Sequence, residues 1–318
     1  MKRRKKRRSA GSPWKRASLI LLVACITGLI ALWLLPDGDR PGPGKTPAPK
    51  PQAAVGKAPD AAAKDPTGPE PAGKRERGGK TVAILIDDIG YDPEALRRLL
   101  AVEAPLAFSV LPHTPHARSS AEAIHRAGRE VLLHLPMEPH GWPDRDPGRG
   151  ALFASMTERE IRQTLLENLK SVPHARGANN HMGSKLMEER DPIRAVFRVL
   201  QEKGLYFVDS LTTEASVGPA LAAEGSLRFA RRDFFIDDAV DRSRAAIHLE
   251  KLLDPRETWS ELLLIGHPYP ETVSALEETI PRFRAAGIRV VPLSDLVDGR
   301  QGPRDVRPQR NTNRNQTS

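Results

Sequence analysis

Between residues 80 and 298, short apolar runs rich in β-formers alternate with longer helix signals. The first run, Thr81 to Ile86, is followed by Asp92 and Pro93. An N-cap residue with proline in the first turn predicts the start of a helix there. Further strands are predicted at 106–111, 130–134, 205–208, 227–229, 262–265 and 288–291.

A chain that alternates strands and helices in this way folds with right-handed crossovers, so its sheet is mainly parallel. A capping box, Thr157 with Glu160, heads a predicted helix that runs to Lys170. Roughly seven or eight strands either close a barrel or form an open doubly wound sheet, and apolar periodicity does not distinguish the two. The sequence therefore predicts one α/β domain over residues 80–298.

Segments of different composition precede this domain. Residues 1–16 contain nine Lys or Arg and no acid, and residues 17–35 form an uncharged apolar run long enough to span a bilayer. Because flanking positive charge stays cytoplasmic, we predict a single-pass inner-membrane anchor with the domain on the extracytoplasmic, periplasmic side. A cleaved signal peptide is one alternative. A lipoprotein is another, because residues 22–25 (LVAC) resemble a bacterial lipoprotein processing site.

Residues 36–79, rich in Pro, Ala, Gly and Lys, and residues 299–318, which are polar, lack apolar periodicity. Such segments cannot bury enough surface to offset their ordering entropy, so a disordered linker and a disordered tail are predicted.

The net charge of +9 comes from the first sixteen residues. Residues 80–298 carry 27 basic against 33 acidic side chains, a net charge of −6. A mildly acidic domain gains nothing from attraction to a phosphate backbone, so a nucleic-acid partner is excluded. No sequence signal specifies an oligomeric state.

Carboxylates and imidazoles follow the predicted strands. Because the carboxyl ends of parallel strands meet at one edge of a barrel or sheet, side chains there form a site. The polar residues at these ends are Asp87 and Asp88, His134 with Glu138, the segment from Arg176 to His181 with Asn179 and Asn180, Asp209 with Ser210, and His267.

Each of these residues has two interpretations. Of the adjacent aspartates, one can ligate a metal while the other acts as a base on water, or Asp88 can simply cap a turn. His134 leaves an apolar strand as a ligand or as a hydrogen-bonded core residue. Turn chemistry explains the glycine and asparagines around His181, but not the imidazole. The loop at 142–150 is a candidate lid or a plain surface loop.

Several separated motifs resemble one family. The motifs LIDDIG, HLPMEP, NNHMGS, FVDS and GHP follow one another as in the divergent (YibQ-like) polysaccharide deacetylases, over nearly all of residues 80–298. The resemblance implies a distorted seven-stranded (β/α) barrel. It also implies one divalent metal held by an aspartate and two histidines. Zinc is the expected ion, with manganese, cobalt or nickel as alternatives.

The resemblance also assigns roles. It makes Asp87 the catalytic base, and Asp88 and His134 metal ligands. Where the family has its second metal histidine this chain has Glu138, so either Glu138 or His181 completes the metal site. The remaining predicted roles are orientation of the base by Arg176, proton donation to the leaving amine by His267, and substrate binding by Asn179, Asn180 and Asp209.

These roles predict metal-dependent hydrolysis of an N- or O-acetyl group on a cell-envelope polysaccharide such as peptidoglycan. The alternative is a non-catalytic glycan-binding or scaffolding protein. The altered second-histidine position favours this alternative, and the number of convergent titratable groups disfavours it. A phosphate-ester hydrolase is less favoured, because few cations besides Arg176 and Lys185 lie near the predicted site.

Overall fold

The computed structural model describes residues 79–237 and 244–300. The predicted domain of residues 80–298 lies within these ranges apart from 238–243. None of the helices in the described ranges is long and apolar enough to cross a lipid bilayer. Outside the described residues lie the predicted basic segment (1–16), the predicted anchor (17–35), the predicted linker (36–79) except residue 79, and the predicted tail (299–318) except residues 299 and 300. Gly299 belongs to the last helix rather than to a disordered tail.

Strands and helices alternate along the described chain as the sequence predicts. The strands are β1 (Thr81–Ile89), β2 (Ala107–Val110), β3 (Glu130–Met137), β4 (Ala175–Met182), β5 (Tyr206–Asp209), β6 (Phe229–Arg231), β7 (Phe234–Phe235), β8 (Glu261–Gly266) and β9 (Arg289–Val290). The helices are α1 (Pro93–Ala101), α2 (Ala117–Arg126), α3 (Glu158–Ser171), α4 (Arg190–Glu202), α5 (Gly218–Gly225), α6 (Arg244–Leu253), α7 (Pro270–Ala285) and α8 (Leu293–Gly299).

Side-chain caps fix two of the helix starts. The Asp92 carboxylate accepts hydrogen bonds from the backbone N–H groups of Glu94 (2.9 Å) and Ala95 (3.0 Å), which begins α1. Thr157 and Glu160 bond reciprocally to each other's backbone N–H groups and begin α3. Both predicted caps are confirmed, and both satisfy N–H groups that have no partner inside the helix.

The strands form one parallel sheet in the order β6-β5-β4-β3-β2-β1-β8-β7, and β9 pairs with the first residues of β1. The helices connect the parallel strands and pack on the outside, which is the arrangement that crossover connections require. The sheet curls into an incomplete barrel, so the predicted α/β barrel class is confirmed. The strand number differs from the predicted seven, because the two-residue strands β7 and β9 add to the longer ones.

The two edges of the sheet meet at a seam. Strands β6 and β7 end the strand order and are linked only by Arg232 and Asp233, with no ladder between them in the described chain. The Arg232 side chain spans this position. It donates to the carbonyl oxygens of Ser210 (2.8 Å) and Leu211 (3.2 Å), and its guanidinium lies 3.7 Å from the ring centroid of Phe235. A side chain therefore joins the edges where backbone pairing stops.

Apolar side chains fill both faces of the sheet, as the two-residue alternation of a strand requires. The outward positions pack against the helices and include Ile84, Ile86 and Phe108. The inward positions form a second cluster with three residues of α8: Ala83, Leu85, Ala107, Leu132, Tyr206, Val208, Ala230, Leu263, Ile265, Leu293, Leu296 and Val297.

Helix α8 closes the amino end of the barrel. Glu130, the first residue of β3, accepts hydrogen bonds from the N–H (3.0 Å) and hydroxyl (2.8 Å) of Ser294 in α8. Its other carboxylate oxygen accepts from the Tyr206 hydroxyl at 2.8 Å. These bonds satisfy a buried carboxylate at the closed end. The carboxyl ends of the strands are thereby left as the open face.

Candidate active site

The inner face of the barrel changes from apolar to polar toward the carboxyl ends of the strands. Two-residue alternation carries the interior from Leu85 to Asp87 in β1 and from Leu132 to His134 in β3. In the neighbouring strands the same two-residue alternation places five further polar residues on the inner face: Ser109, Asn179, His181, Ser210 and His267.

Asp88 reaches the same interior by leaving the regular strand conformation. Neighbouring residues of a strand point to opposite faces, so a regular β1 would send Asp87 and Asp88 apart. Asp88 instead has φ of 56°, and the pairing of β1 with β2 shifts register between Ile86 and Ile89. Both carboxylates then approach one imidazole: His134 Nε2 lies 3.7 Å from Asp87 Oδ2 and 3.2 Å from Asp88 Oδ1. A non-glycine residue in this conformation costs free energy, as is common at functional sites.

Asn179 connects the predicted base to a predicted metal ligand. Its Nδ2 donates to both carboxylate oxygens of Asp87 (2.9 and 3.0 Å) and to the Ser210 hydroxyl at 3.1 Å. Its Oδ1 accepts from the Ser109 hydroxyl and from His134 Nδ1, the latter at 3.0 Å. Because an amide oxygen only accepts, the His134 proton lies on Nδ1, and Nε2 presents a lone pair to the site.

Asp88, His134 and His181 bring three ligand atoms together. Asp88 Oδ1 lies 3.2 Å from His134 Nε2 and 3.1 Å from His181 Nδ1, and the two imidazole nitrogens are 3.1 Å apart. Asp88 Oδ1 is buried and makes no hydrogen bond in the described structure. With metal–ligand bonds of about 2.1 Å, ligand atoms stand about 3.0 Å apart in an octahedron and about 3.4 Å apart in a tetrahedron. The three atoms therefore fit one divalent transition-metal ion.

The charges of the site favour a cation among these three atoms. Although burial alone raises it, the imidazoles of His134 and His181 bring the pKa of Asp88 well below its usual range. Burial lowers the pKa of His134, but the carboxylates of Asp87 and Asp88 outweigh burial and raise it. Burial also raises the pKa of Asp87, against the lowering effect of His134 and His267. A carboxylate with a raised pKa is a stronger base toward water at neutral pH.

His267 approaches the same centre from the seam side. Its Nε2 lies 4.0 Å from Asp88 Oδ2. The buried Asp237 carboxylate holds the other nitrogen, Nδ1, at 2.8 Å and accepts from the His267 backbone N–H at 2.6 Å. Thr272 donates to the same carboxylate at 2.8 Å.

The environment of His267 favours its protonated form. Burial lowers its pKa, but the hydrogen bond and the charge of Asp237 dominate and raise it to about 9. The imidazole stacks on two aromatic rings, with centroids 6.0 Å away for Phe235 and 5.5 Å away for Tyr269. These contacts fix the plane of the ring and leave Nε2 directed at the site. His267 is therefore placed to donate a proton.

A cleft of about 250 Å³ opens beside the three ligand atoms. Its size is below that of a typical enclosed site for a drug-sized ligand, so it accommodates about one sugar ring. The exposed ring of Tyr91 lines it. The other lining residues are Asp88, Leu111, Pro112, Thr114, Pro136, Asp146, Pro147, Gly148, Arg149 and His181.

Glu138 does not join the ligand atoms, and its prediction as a metal ligand is corrected. Its Oε1 forms an ion pair with Lys185 at 2.7 Å, and its Oε2 accepts from the backbone N–H of Ala154, also at 2.7 Å. Its own N–H donates to the carbonyl oxygen of Leu152. Glu138 therefore holds the loop at residues 152–154 in place. Of the two predicted alternatives, the structure brings His181 to Asp88.

Arg176 is also absent from the site, and its prediction as the residue that orients the base is wrong. Arg176 is exposed at the start of β4, beside Gly177, whose backbone lies against the ring of Tyr206. Tyr206 belongs to the closed end of the barrel through its bond to Glu130. The contacts expected of the arginine are made instead by Asn179, three residues further along β4.

The three predicted substrate-binding residues are buried and bonded internally, which corrects that prediction. Asn179 is fully occupied by the site network described above. Asn180 donates to Met182 O (2.9 Å) and Thr212 Oγ1 (3.1 Å), and accepts from the Ser210 N–H at 2.8 Å. Asp209 accepts from the Leu211 N–H (2.8 Å) and the Ser216 hydroxyl (2.6 Å). All three position the loops around the site.

Sequence reasoning missed Asp237 and Ser109 as parts of the site, and it placed Ser210 at a strand end without giving it a role. Ser109 could have been found from alternation, since it follows the inward-facing Ala107 by two residues in β2. Asp237 gave no such signal, because it lies thirty residues before His267 and outside any strand.

A curled parallel α/β barrel with an Asp–His–His cluster and a second carboxylate at its open end is an arrangement of the polysaccharide deacetylase type. The family model described as divergent polysaccharide deacetylase matches residues 84–297. The chain belongs to this family.

Relatives extend over the same region. The uncharacterized protein YibQ of Escherichia coli K12 is 33% identical over 217 residues, covering 68% of this chain and 67% of that protein. An uncharacterized protein of Haemophilus influenzae Rd is 29% identical over 211 residues, or 66% and 72% of the two chains. The crystal structure of uncharacterized protein ATU2773 from Agrobacterium tumefaciens C58 aligns with a TM-score of 0.64 at 21% identity, over 71% of this chain and 91% of that one. The last similarity concerns the fold alone.

Proposed function

We propose that this protein is a metal-dependent hydrolase that removes an acetyl group from a cell-envelope polysaccharide. The observation that carries the proposal is the buried Asp88 Oδ1, which has no hydrogen bond and faces two imidazole nitrogens. A buried carboxylate oxygen without a partner costs free energy, and a bound cation would offset that cost. The family supports the substrate class.

Asp88, His134 and His181 would hold the ion, with zinc expected from the donor set. When bound, it supplies Lewis acidity that polarises an acyl carbonyl and acidifies water. Asp87 lies next to these ligands and accepts the proton of the attacking water. Asn179 holds both of its oxygens, so the base keeps one orientation through the reaction.

His267 supplies the proton that the leaving group needs. With its pKa raised to about 9, it remains protonated at neutral pH. Its Nε2 faces the centre, so it protonates the departing amine as the tetrahedral intermediate collapses. The imidazole then regains its proton from solvent, and Asp237 keeps Nδ1 protonated throughout.

The proposed location of the domain supports the choice of substrate. The sequence of residues 1–35 supports an inner-membrane anchor, which would hold the domain on the periplasmic side where cell-envelope glycans lie. The substrate would then be a peptidoglycan-like glycan.

The test is acetate release from N-acetylated glycan strands by the full-length chain incubated with zinc. Asp87→Asn keeps the ligand atoms and removes the base, so we expect kcat to fall by about 10²- to 10⁴-fold. His140→Ala is the matched control, because His140 is largely exposed and bonds to Glu188 outside the site. Glycan binding by the zinc-incubated wild type without any acetate release would favour the non-catalytic alternative.

A further inference from the structure

Arg149 gives the cleft a cationic wall. It lines the same cleft as Asp88 and His181, and no other Lys or Arg does so in the part of the chain that the structure describes. The remaining charged lining residue is Asp146, whose Oδ1 accepts from the backbone N–H of Gly148 at 2.8 Å. Arg149 therefore places a positive charge at the border of the space next to the ligand atoms.

The loop that carries Arg149 is held in place. Arg149 stands between two glycines in the left-handed region, Gly148 (φ 92°) and Gly150 (φ 82°). Asn168, a fully buried residue of α3, donates to the Gly150 carbonyl oxygen at 2.8 Å. A Cβ added at Gly150 would lie 2.2 Å from Asn168 Oδ1, so no side chain fits there. These contacts fix the loop backbone at Gly150, directly after Arg149.

Arg149 forms no ion pair with a carboxylate among the described residues. Elsewhere on the surface arginines do so, as Arg98 with Glu277 (2.6 Å) and Arg190 with Glu224 (2.6 Å). A planar guanidinium with free donors matches a carboxylate in two parallel hydrogen bonds. Arg149 is thus available to a ligand in the cleft.

We propose that Arg149 selects glycans in which the sugar in the cleft bears a carboxylate close to the acetyl group. This inference rests on the proposed function for the position of the acetyl group. The exposed ring of Tyr91 supplies a face for the sugar, and Arg149 supplies the charge. Neutral N-acetylated glycans would lack one of the two contacts.

The experiment compares two ligands and three forms of the full-length chain. The ligands are the disaccharide of N-acetylglucosamine and N-acetylmuramic acid, which has a lactyl carboxylate, and the same disaccharide with that carboxylate converted to its amide. The proteins are the wild type, Arg149→Gln and Arg145→Gln. Arg145 is exposed on the same loop but does not line the cleft, so it is the matched control for charge. Kd is measured calorimetrically with zinc present, and acetate release in parallel.

We expect the wild type and Arg145→Gln to bind the acid about tenfold more tightly than the amide, which corresponds to about 1.4 kcal/mol. Arg149→Gln should bind both with the affinity of the amide. Equal wild-type affinities for acid and amide would overturn the proposal. So would a preference that survives in Arg149→Gln. A preference for the acid without acetate release would uphold the role of Arg149 and count against the hydrolase proposal instead.

Discussion

The two sides of the barrel hold their polar groups in different ways. On the metal side, β1, β3 and β4 are eight or nine residues long and belong to one continuous ladder. On the seam side, β6 and β7 have three and two residues and no ladder between them. The candidate ligands His134 and His181 therefore stand on paired backbone. His267, in contrast, is oriented by the side chains of Asp237, Phe235 and Tyr269.

The comparison shows where rigidity is needed. A metal site requires ligand atoms at fixed spacing, and strands with complete hydrogen bonding provide it. The strained Asp88 lies in the register shift of β1, between the paired residues Ile86 and Ile89. Proton donation tolerates more movement, so the donor can stand beside an interrupted part of the sheet. Segments with few backbone hydrogen bonds open at lower free energy than the rest of a fold.

Among the tests of this comparison, the largest effect is expected from breaking the network on the metal side. Asn179→Ala removes the groups that hold Asp87 and His134, and misplacing a base in this way costs about a hundredfold in kcat. Asn180→Ala is the matched control, because it removes a neighbouring buried amide that holds Ser210 and Thr212 instead. Both changes should lower the free energy of unfolding by about 1 to 3 kcal/mol. Equal losses of activity would contradict the special role of Asn179.

The seam side is tested through pH. In Asp237→Asn the main support for protonated His267 is lost, so its pKa falls from about 9 toward the ordinary value of 6.5. The protonated donor then disappears at lower pH, and the alkaline limb of the kcat profile should move down by about one pH unit or more. Asp233→Asn, which changes a seam carboxylate bonded to the Leu263 N–H, should leave that limb unchanged. An unmoved limb in Asp237→Asn would show that another group donates the proton.

Arg232→Met tests the difference between the two sides by weakening the seam. It removes two hydrogen bonds to the turn at Ser210 and Leu211 and the cation over Phe235. We expect the free energy of unfolding to fall by about 2 kcal/mol, and amide hydrogen exchange to quicken in β6 and β7 before β3. Arg231→Met, at the preceding position, is the control. Uniform acceleration across the barrel would mean that the seam is no weaker than the rest.

The smallest effect is expected at Glu138. Glu138→Gln keeps the size of the side chain and removes the charge that pairs with the half-exposed Lys185. The free energy of unfolding should fall by about 1 kcal/mol or less, and the bound-metal content should not change. Loss of metal would restore Glu138 as a ligand and contradict the assignment of His181.

Much of the site could be predicted because alternation and strand ends are local properties. Asp87, His134 and His267 continue inward-facing apolar positions, so their convergence follows from the parallel sheet. The sequence of β4, ARGANNHM, predicts no strand because it is polar and lacks apolar alternation. In the structure Asn179 and Asn180 bond to polar groups of other strands and loops. The roles of Asn179 and Asn180 were misassigned for that reason.

Other parts depended on contacts that the sequence does not reveal. Glu138 is held away from the ligand atoms by Lys185 and by the backbone N–H of Ala154, neither of which is close to it in sequence. Asp237 and Arg232 act through partners twenty or more residues away. Adjacent residues of a regular strand point in opposite directions, and the left-handed backbone of Asp88 brings its side chain to the same side as Asp87. This backbone conformation cannot be read from the sequence.

The metal content of the purified full-length chain tests the central claim most directly. Elemental analysis of the wild type and of His140→Ala should find about one equivalent of a divalent transition metal, and His134→Ala should have lost it. A folded wild-type chain that contains no such metal and takes up no added zinc would contradict the account. Retention of the metal by His134→Ala would contradict the assigned ligands.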